Sequence, residues 1–287
     1  MSRALIIGAA LVLAGCSALR LVYNQGPSLA RWWVDRYVDL TDAQKEPLQE
    51  ALGAWFAWNR RQQLPEIAQL LAQARREVAD PVTAERVCQW NEVVRNRIDQ
   101  AVDRAIPLVA PLLGRLEPAQ VEHLQSRFDK SNAQFRKDYL KTRPDDRLEL
   151  LVDRAVDRAE TLYGRLDGEQ KRLLAEGLRP TLPDAELRYE ARLAFQREVL
   201  RVLQGVMASR GDGAAAQVAL RQFQKRWSDT YRANPALAAQ RTMLVSCEVA
   251  ARLHNTTTAA QRRNAQERLL GWEEDLRALV AQAPPRP

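Results

Sequence analysis

A five-residue pattern recurs four times along the chain, and each time it announces a helix. It reads Leu40-Thr41-Asp42-Ala43-Gln44, Leu116-Glu117-Pro118-Ala119-Gln120, Leu166-Asp167-Gly168-Glu169-Gln170 and Thr257-Thr258-Ala259-Ala260-Gln261. Four and eight residues beyond each glutamine stand Leu48 and Leu52, Leu124 and Phe128, Leu174 and Leu178, and Ala265 and Leu269. That spacing lines one face of a helix. The physical account is a capping box: Thr41, Asp167 or Thr258 at N-cap accepts a hydrogen bond from the N3 amide, and the glutamine at N3 reaches back to the cap. Glu117 is a poor cap and relies on Pro118 at the first helical position. Each cap stabilises its helix by ~1 kcal/mol. Four such starts in one chain commit it to helices.

The remaining segments agree. Leu29, Trp33, Tyr37 and Leu40 recur at three- and four-residue spacing after Gly26-Pro27, which reads as a core-facing stripe. A helical region follows from Asp42 to about Ala79, which Pro65 should kink or split. Asp80-Pro81-Val82-Thr83 is a turn and cap. Val87, Trp90, Val94, Ile98, Ala101 and Ala105 then trace one face of a long helix, disturbed by Pro107 and Pro111. Further helices fit about 118–142, 144–164, 168–178, 184–209, 214–233, 235–254 and 259–281. Only 12 glycines and no alternating apolar run leave little for strands. The expected fold is all-α, a multi-helix bundle or irregular array of αα-hairpins with no sheet. Ala101-Val-Asp-Arg-Ala105 and Gly114-Arg-Leu116 return as Ala155-Val-Asp-Arg-Ala159 and Gly164-Arg-Leu166, the spacing shifted by one helical turn. Residues 27–282 therefore form one helical domain, or two packed halves dividing near 142–145 or 180–183. The proline-rich tail 283–287 is too short to fold.

The first residues give an address. Met-Ser-Arg precedes an apolar run from Ala4 to Ala14. Basic residue, short apolar core and small residues are the parts of a secretory signal peptide. A bilayer-spanning helix needs ~20 apolar residues, which this run lacks. Leu13-Ala14-Gly15-Cys16 resembles the lipobox of bacterial lipoproteins. The resemblance implies removal of residues 1–15, acyl chains on Cys16, and a short tether over 16–26. Ser17, where an aspartate would signal inner-membrane retention, directs the chain to the periplasmic face of the outer membrane. Several acyl chains are needed, since one gives only marginal binding.

Export reinterprets the charge. A net charge of +7 and pI of 9.6 would ordinarily suggest nucleic acid. In an envelope compartment the accessible anions are lipid headgroups, lipopolysaccharide and glycans. Only six of the 43 basic residues are lysine, and the arginines are interspersed with acids, the pattern of a solvated, salt-bridged surface. The two remaining cysteines, Cys88 and Cys247, are free to pair in an oxidising compartment or to stay as buried thiols. Spacing alone leaves both open.

Two wider resemblances follow. Leu-Thr-x-x-Gln repeats are similar to those of small helical periplasmic proteins of the Spy type, ATP-independent chaperones; only Leu40–Gln44 matches fully. The lipobox, Leu21-Val-Tyr23-Asn24 and Trp32-Trp33-Val-Asp35-Arg36-Tyr37-Val-Asp39-Leu40-Thr41-x-x-Gln44 together resemble a family of proteobacterial lipoproteins of similar size. That resemblance implies a location and a helical fold; it supplies no activity. Trp32, Trp33 and Tyr37 are candidate interface aromatics, because indoles favour the bilayer surface. Trp33 also shares the stripe of Leu29 and Tyr37, which favours core packing with Trp55, Phe56 and Trp58 on the next helix.

No catalytic, cofactor-binding or metal-binding constellation stands out. The histidines, His123 and His254, belong to no paired-ligand pattern. His254 lies seven residues, ~10 Å, from Cys247, too far for a nucleophile–base pair. Acids such as Asp153 and Asp157 alternate with arginine in helical register. The expected function is a non-catalytic interaction, scaffold or chaperone-like lipoprotein with an envelope protein as partner. A binder or carrier of lipid or lipopolysaccharide is the alternative, and an envelope hydrolase the third reading.

Overall fold

The structure, a computed structural model, describes residues 18–209, 212–233 and 239–282. The expected signal peptide over residues 1–15, the expected lipid-bearing Cys16 and the tail 283–287 lie outside them. A helical stretch over 18–24 leads into α1 (Gly26–Val38), followed by α2 (Asp42–Trp58), α3 (Leu64–Glu77), α4 (Ala84–Leu113), α5 (Pro118–Phe135) and α6 (Pro144–Tyr163). Then come α7 (Gly168–Leu178), α8 (Ala185–Ala208), α9 (Gly213–Ala233), α10 (Ala239–Asn255) and α11 (Ala259–Ala281). Among the described residues there is no strand. The fold is an all-α helical array.

The prolines act locally. Pro65 removes an amide and crowds the carbonyl four residues earlier. The chain absorbs this in a single π-turn over Asn59–Gln63, so α2 and α3 run on as neighbours. Pro107 and Pro111 leave α4 uninterrupted, and it ends two residues after the second.

Residues 18–26 form no loose tether. The Gln25 amide donates to the Leu21 carbonyl at 3.1 Å and the Leu29 amide to Gln25 at 3.0 Å, joining the lead-in to α1. A Cβ on Gly26 would meet the Phe56 ring at 2.5 Å, so glycine permits the close crossing of α1 over α2.

Two cores hold the array. The larger gathers Val78, Tyr163, Leu166, Leu174, Leu178, Val249, Leu253, Ala265 and Leu269, from both ends of the chain. Its main seam is α3 against α11, with α6, α7 and α10 around it. The smaller core joins Ala110 of α4 to Val202 and Val206 of α8 and Ala216 of α9. The larger core unites residues near 78 with residues near 265, so its members stand on both sides of 142–145 and of 180–183. Cys88 of α4 and Cys247 of α10 form a disulfide, their Cα atoms 5.5 Å apart. It links positions 159 residues apart across the α4–α10 contact.

Candidate functional site

The four glutamines of the recurring turn meet in two pairs. Gln44 Nε2 donates to Gln120 Oε1 at 3.0 Å, and Gln120 Nε2 returns the bond to Gln44 Oε1 at 2.8 Å. Gln170 and Gln261 repeat this at 2.8 and 2.9 Å. Each amide also donates across to a carbonyl two residues before its partner's N-cap: Gln44 to Arg115, Gln120 to Asp39, Gln170 to Thr256 and Gln261 to Arg165, at 2.8–3.2 Å. Each Oε1 accepts from its own cap amide, on Thr41, Glu117, Asp167 and Thr258. All four glutamines are buried, Gln170 at 2% exposure. The donors of each buried amide are therefore satisfied, which burial demands. The sequence pattern shows the cap; nothing in it shows that the caps pair.

A third buried amide pair, Asn132 with Gln196, joins α5 to α8, and Arg192 donates to the same Asn132 oxygen at 2.8 Å. It lacks a repeating sequence motif and was not among the expected site residues.

The segment over residues 18–26 is clamped to the body. Tyr23 donates its hydroxyl to Asn59 Oδ1 at 2.8 Å, within the π-turn, and packs edge-on against Phe56 at 5.6 Å. Arg60 spans Asn24 at 2.7 Å and the face of Tyr23 at 5.2 Å. Arg20 reaches the buried carboxylate of Asp275 on α11 at 3.0 Å. Burial raises the pKa of Asp275, and the facing Arg20 guanidinium opposes that rise. Tyr23 and Asn24 thus fix the lead-in to the π-turn, and Asp35 and Asp39 end α1. The Asp39 backbone turns left-handed (φ 59°) with its amide on the Asp35 carbonyl, while the Asp35 side chain accepts from the Leu40 amide at 3.0 Å. Aspartate tolerates this conformation better than most residues.

The expected core position of Trp33 is not found. Trp32 and Trp33 are 58% and 54% exposed, and Leu29 is exposed as well. The side of the helix facing the body carries Tyr23, Gly26, Ala30, Val34 and Tyr37 instead. Trp33 stacks on Tyr37 at 4.7 Å, Arg36 lies over Trp32 at 5.5 Å, and Arg127 of α5 covers Tyr37 at 5.4 Å. Trp55, Phe56 and Trp58 form an aromatic row with Tyr23 as its partner. On α4, Val94 and Ile98 likewise face outward, away from α2, the π-turn, α9 and α10, which pack on that helix.

The titratable groups serve structure. His254 is buried between the Tyr163 hydroxyl (2.9 Å from Nδ1) and the Asp80 carbonyl (2.8 Å from Nε2). A carbonyl only accepts, so Nε2 carries the proton and the phenol donates to Nδ1. Desolvation lowers the pKa of His254 and pushes that of Tyr163 up to about 12. Glu77 accepts from Arg86 (2.9 and 2.5 Å), Gln73 (2.8 Å) and Trp90 (2.9 Å), which holds its carboxyl down at about 2. Buried Glu273 on α11 accepts from Arg75 at 3.3 Å and Arg277 at 2.6 Å. These charged hubs gave no motif; in sequence they look like any solvated i/i+4 pair. Asp153 and Asp157, by contrast, are exposed. Among the described residues no three His, Cys, Asp or Glu side chains gather as a metal site. A shallow open depression of about 270 Å³, lined by Ala79, Thr257, Ala259, Arg262, Arg263 and Gln266, lies beside the second glutamine pair. Arg262 is already bonded there to Thr257 at 3.1 Å and to the Ala79 carbonyl at 2.9 Å.

Fold and contacts together define an all-α protein whose helix starts are locked pairwise by buried glutamines. The chain belongs to the Family of unknown function (DUF6279), whose model matches residues 36–232. That span includes Gln44, Gln120 and Gln170 and ends before Cys247, His254 and Gln261. No match is found among curated proteins or solved structures.

Proposed function

We propose that this chain is a lipid-anchored envelope protein that acts by non-catalytic interaction, as a scaffold or chaperone-like partner at the periplasmic face of the outer membrane. The observation that carries the reading is the outward display of Trp32, Trp33 and Leu29 on a helix clamped to the body just after Cys16. A soluble surface helix normally turns polar residues outward, and a contiguous exposed apolar patch marks an interaction surface. The Cys88–Cys247 bond accords with an oxidising compartment. No described helix is long and apolar enough to cross a membrane; in this reading the attachment is the Cys16 lipid.

The test has two readouts on the full chain expressed in cells. Metabolic labelling with an alkynyl fatty acid should tag the wild type and spare Cys16→Ser, which should leave the membrane fraction. Crosslinking in intact cells should then capture a discrete envelope protein with the wild type. An unlabelled wild type refutes the anchor. A labelled wild type that captures no specific protein, and that leaves aggregation of an unfolding client unchanged at excess, refutes the interaction role.

A further inference from the structure

The lead-in and α1 carry two apolar faces. One, through Tyr23, Gly26, Ala30 and Val34, is covered by the body. At 100° per residue, an adjoining, outward face presents Leu21, Val22, Leu29, Trp32 and Trp33, all more than half exposed, interrupted only by Gln25 and Arg36. From Leu21 to Trp33 this strip runs ~18 Å along the helix. The polar residues Arg20, Asn24, Arg31 and Asp35 are confined to one flank. A helix of this make-up satisfies its second face only against another apolar phase.

We infer that the outward face of the lead-in and α1 lies flat in the headgroup–acyl boundary of the bilayer that holds the Cys16 lipid; this rests on the anchored reading above. Position selects the bilayer as the occupant. Helix begins by residue 18, so at most a residue or two separates the acylated cysteine from its first turn. The rigid, clamped segment cannot swing the strip far from the surface where its own first residue is held. An anchored face so close meets the bilayer at an effective concentration that a diffusing partner does not match. The residue types fit that depth. Indoles prefer the interfacial layer, aliphatic side chains enter the acyl boundary, and amphipathic interfacial helices bury their apolar face ~5–10 Å. Arg36, over the Trp32 ring, and exposed Arg31 stand where lipid phosphates would lie, and arginine pairs with phosphate through a planar fork. The clamp then has a purpose. Arg20–Asp275 and Tyr23–Asn59 transmit the orientation of the helix to α11 and the π-turn, so the whole array is held in one pose above the membrane.

The experiment uses the full lipidated chain in vesicles of phosphatidylethanolamine with a minor share of phosphatidylglycerol. The acyl chains are brominated either near the headgroup or near the bilayer centre. Mass spectrometry of the N-terminal peptide first establishes lipid on Cys16. Bromine near the headgroup should quench tryptophan emission about twofold more than deep bromine, matching the interfacial preference of indoles. In W32F/W33F that quenching should vanish while the melting temperature and the disulfide persist. An R20A variant, with the clamp cut, should keep the lipid but show weaker and less depth-selective quenching. Lipid on Cys16 without quenching of Trp32 and Trp33 overturns this inference and leaves the anchor standing. If those indoles are then also shielded from iodide, the face belongs to a protein partner or a second copy. No lipid on Cys16 overturns the anchored reading itself.

Discussion

The two glutamine junctions use the same hydrogen bonds in different settings. At the second, the cap side chains complete the box: Asp167 accepts from the Gln170 amide at 2.8 Å and Thr258 from the Gln261 amide at 3.1 Å. At the first, Thr41 and Glu117 also face their N3 amides in capping boxes, but those amides, of Gln44 and Gln120, lie on the Thr41 and Glu117 carbonyls at 2.9 and 3.0 Å. The second junction abuts the larger core through Leu166 and lies beside the His254–Tyr163 strut. The first abuts α1, with the exposed tryptophans a turn or two away and the His123 ring 3.3 Å from the Arg36 carbonyl. The second is therefore a rigid lock at the closed end of the array. The first is a lighter lock beneath the displayed helix. One motif closes against a core in one place and underlies an exposed aromatic helix in the other.

The largest effect expected is from the disulfide, because Cys247 lies on α10, whose end runs directly into the second junction. Closing a loop of this length stabilises by about 4–5 kcal/mol in the chain-entropy model. Cys88→Ser with Cys247→Ser should lower stability by that order in denaturant melts. Hydrogen exchange should rise at 161–170 and 253–261 well before 39–44 and 116–120. Equal loosening of both junctions would abolish the contrast drawn here.

Next come the glutamines themselves. Gln170→Ala takes a hydrogen-bond partner from the buried Gln261 amide, the Thr256 carbonyl and the Asp167 amide, each unsatisfied group costing ~1–3 kcal/mol; we expect a loss of about 3 kcal/mol. Gln44→Ala at the less enclosed junction should cost about 2 kcal/mol. In double-mutant cycles Gln170 should couple to Gln261, and Gln44 to Gln120, by ~1 kcal/mol or more, and Gln170 to Gln44 not at all.

These glutamines show what was legible in the sequence. The helix-start pattern identified all four positions, and apolar spacing located most helices to within a residue or two. Both are local, governed by hydrogen bonds within one turn. Pairing was not legible, because it depends on which turns the array brings together 76 or 91 residues apart. The same limit explains Trp33. Its three- and four-residue spacing with Leu29 and Tyr37 is that of a buried stripe, but a helix apolar on two sides leaves periodicity unable to choose between them. Arg20, Asp275 and Glu77 were invisible for a third reason: a buried ion pair and a solvated one have the same sequence signature.

Acid should separate the junctions as well. The folded-state pKa of His254 lies below its ordinary 6.5, chiefly through burial, so the unfolded chain binds the proton more readily. Its contribution is full above pH ~6.5 and declines as pH falls from there, levelling off below the folded-state value. Melting temperature against pH should show this slope in the wild type and lose it in His254→Gln. The Glu77 hub responds lower still. Its contribution is present above about 4.5 and is lost as pH falls toward 2. If local exchange under mild acid rises first at 39–44, His254 does not guard the second junction.

The smallest expected effect is the most direct comparison of the two turns, since both threonines start helices at the same position of the same motif. Thr258→Ala removes a hydroxyl that accepts from an amide, and should cost ~1 kcal/mol, the usual worth of an N-cap. Thr41→Ala removes a hydroxyl facing an amide that the Thr41 carbonyl already holds at 2.9 Å. The Gln44 side chain still satisfies the Thr41 amide at 3.0 Å, so the loss should stay within ~0.5 kcal/mol, the range of neutral surface changes. Equal losses in matched melts would mean that the Thr41 hydroxyl carries its box as fully as Thr258 does. The first junction would then be as tightly capped as the second, and the lighter lock beneath α1 would have to come from its surroundings alone.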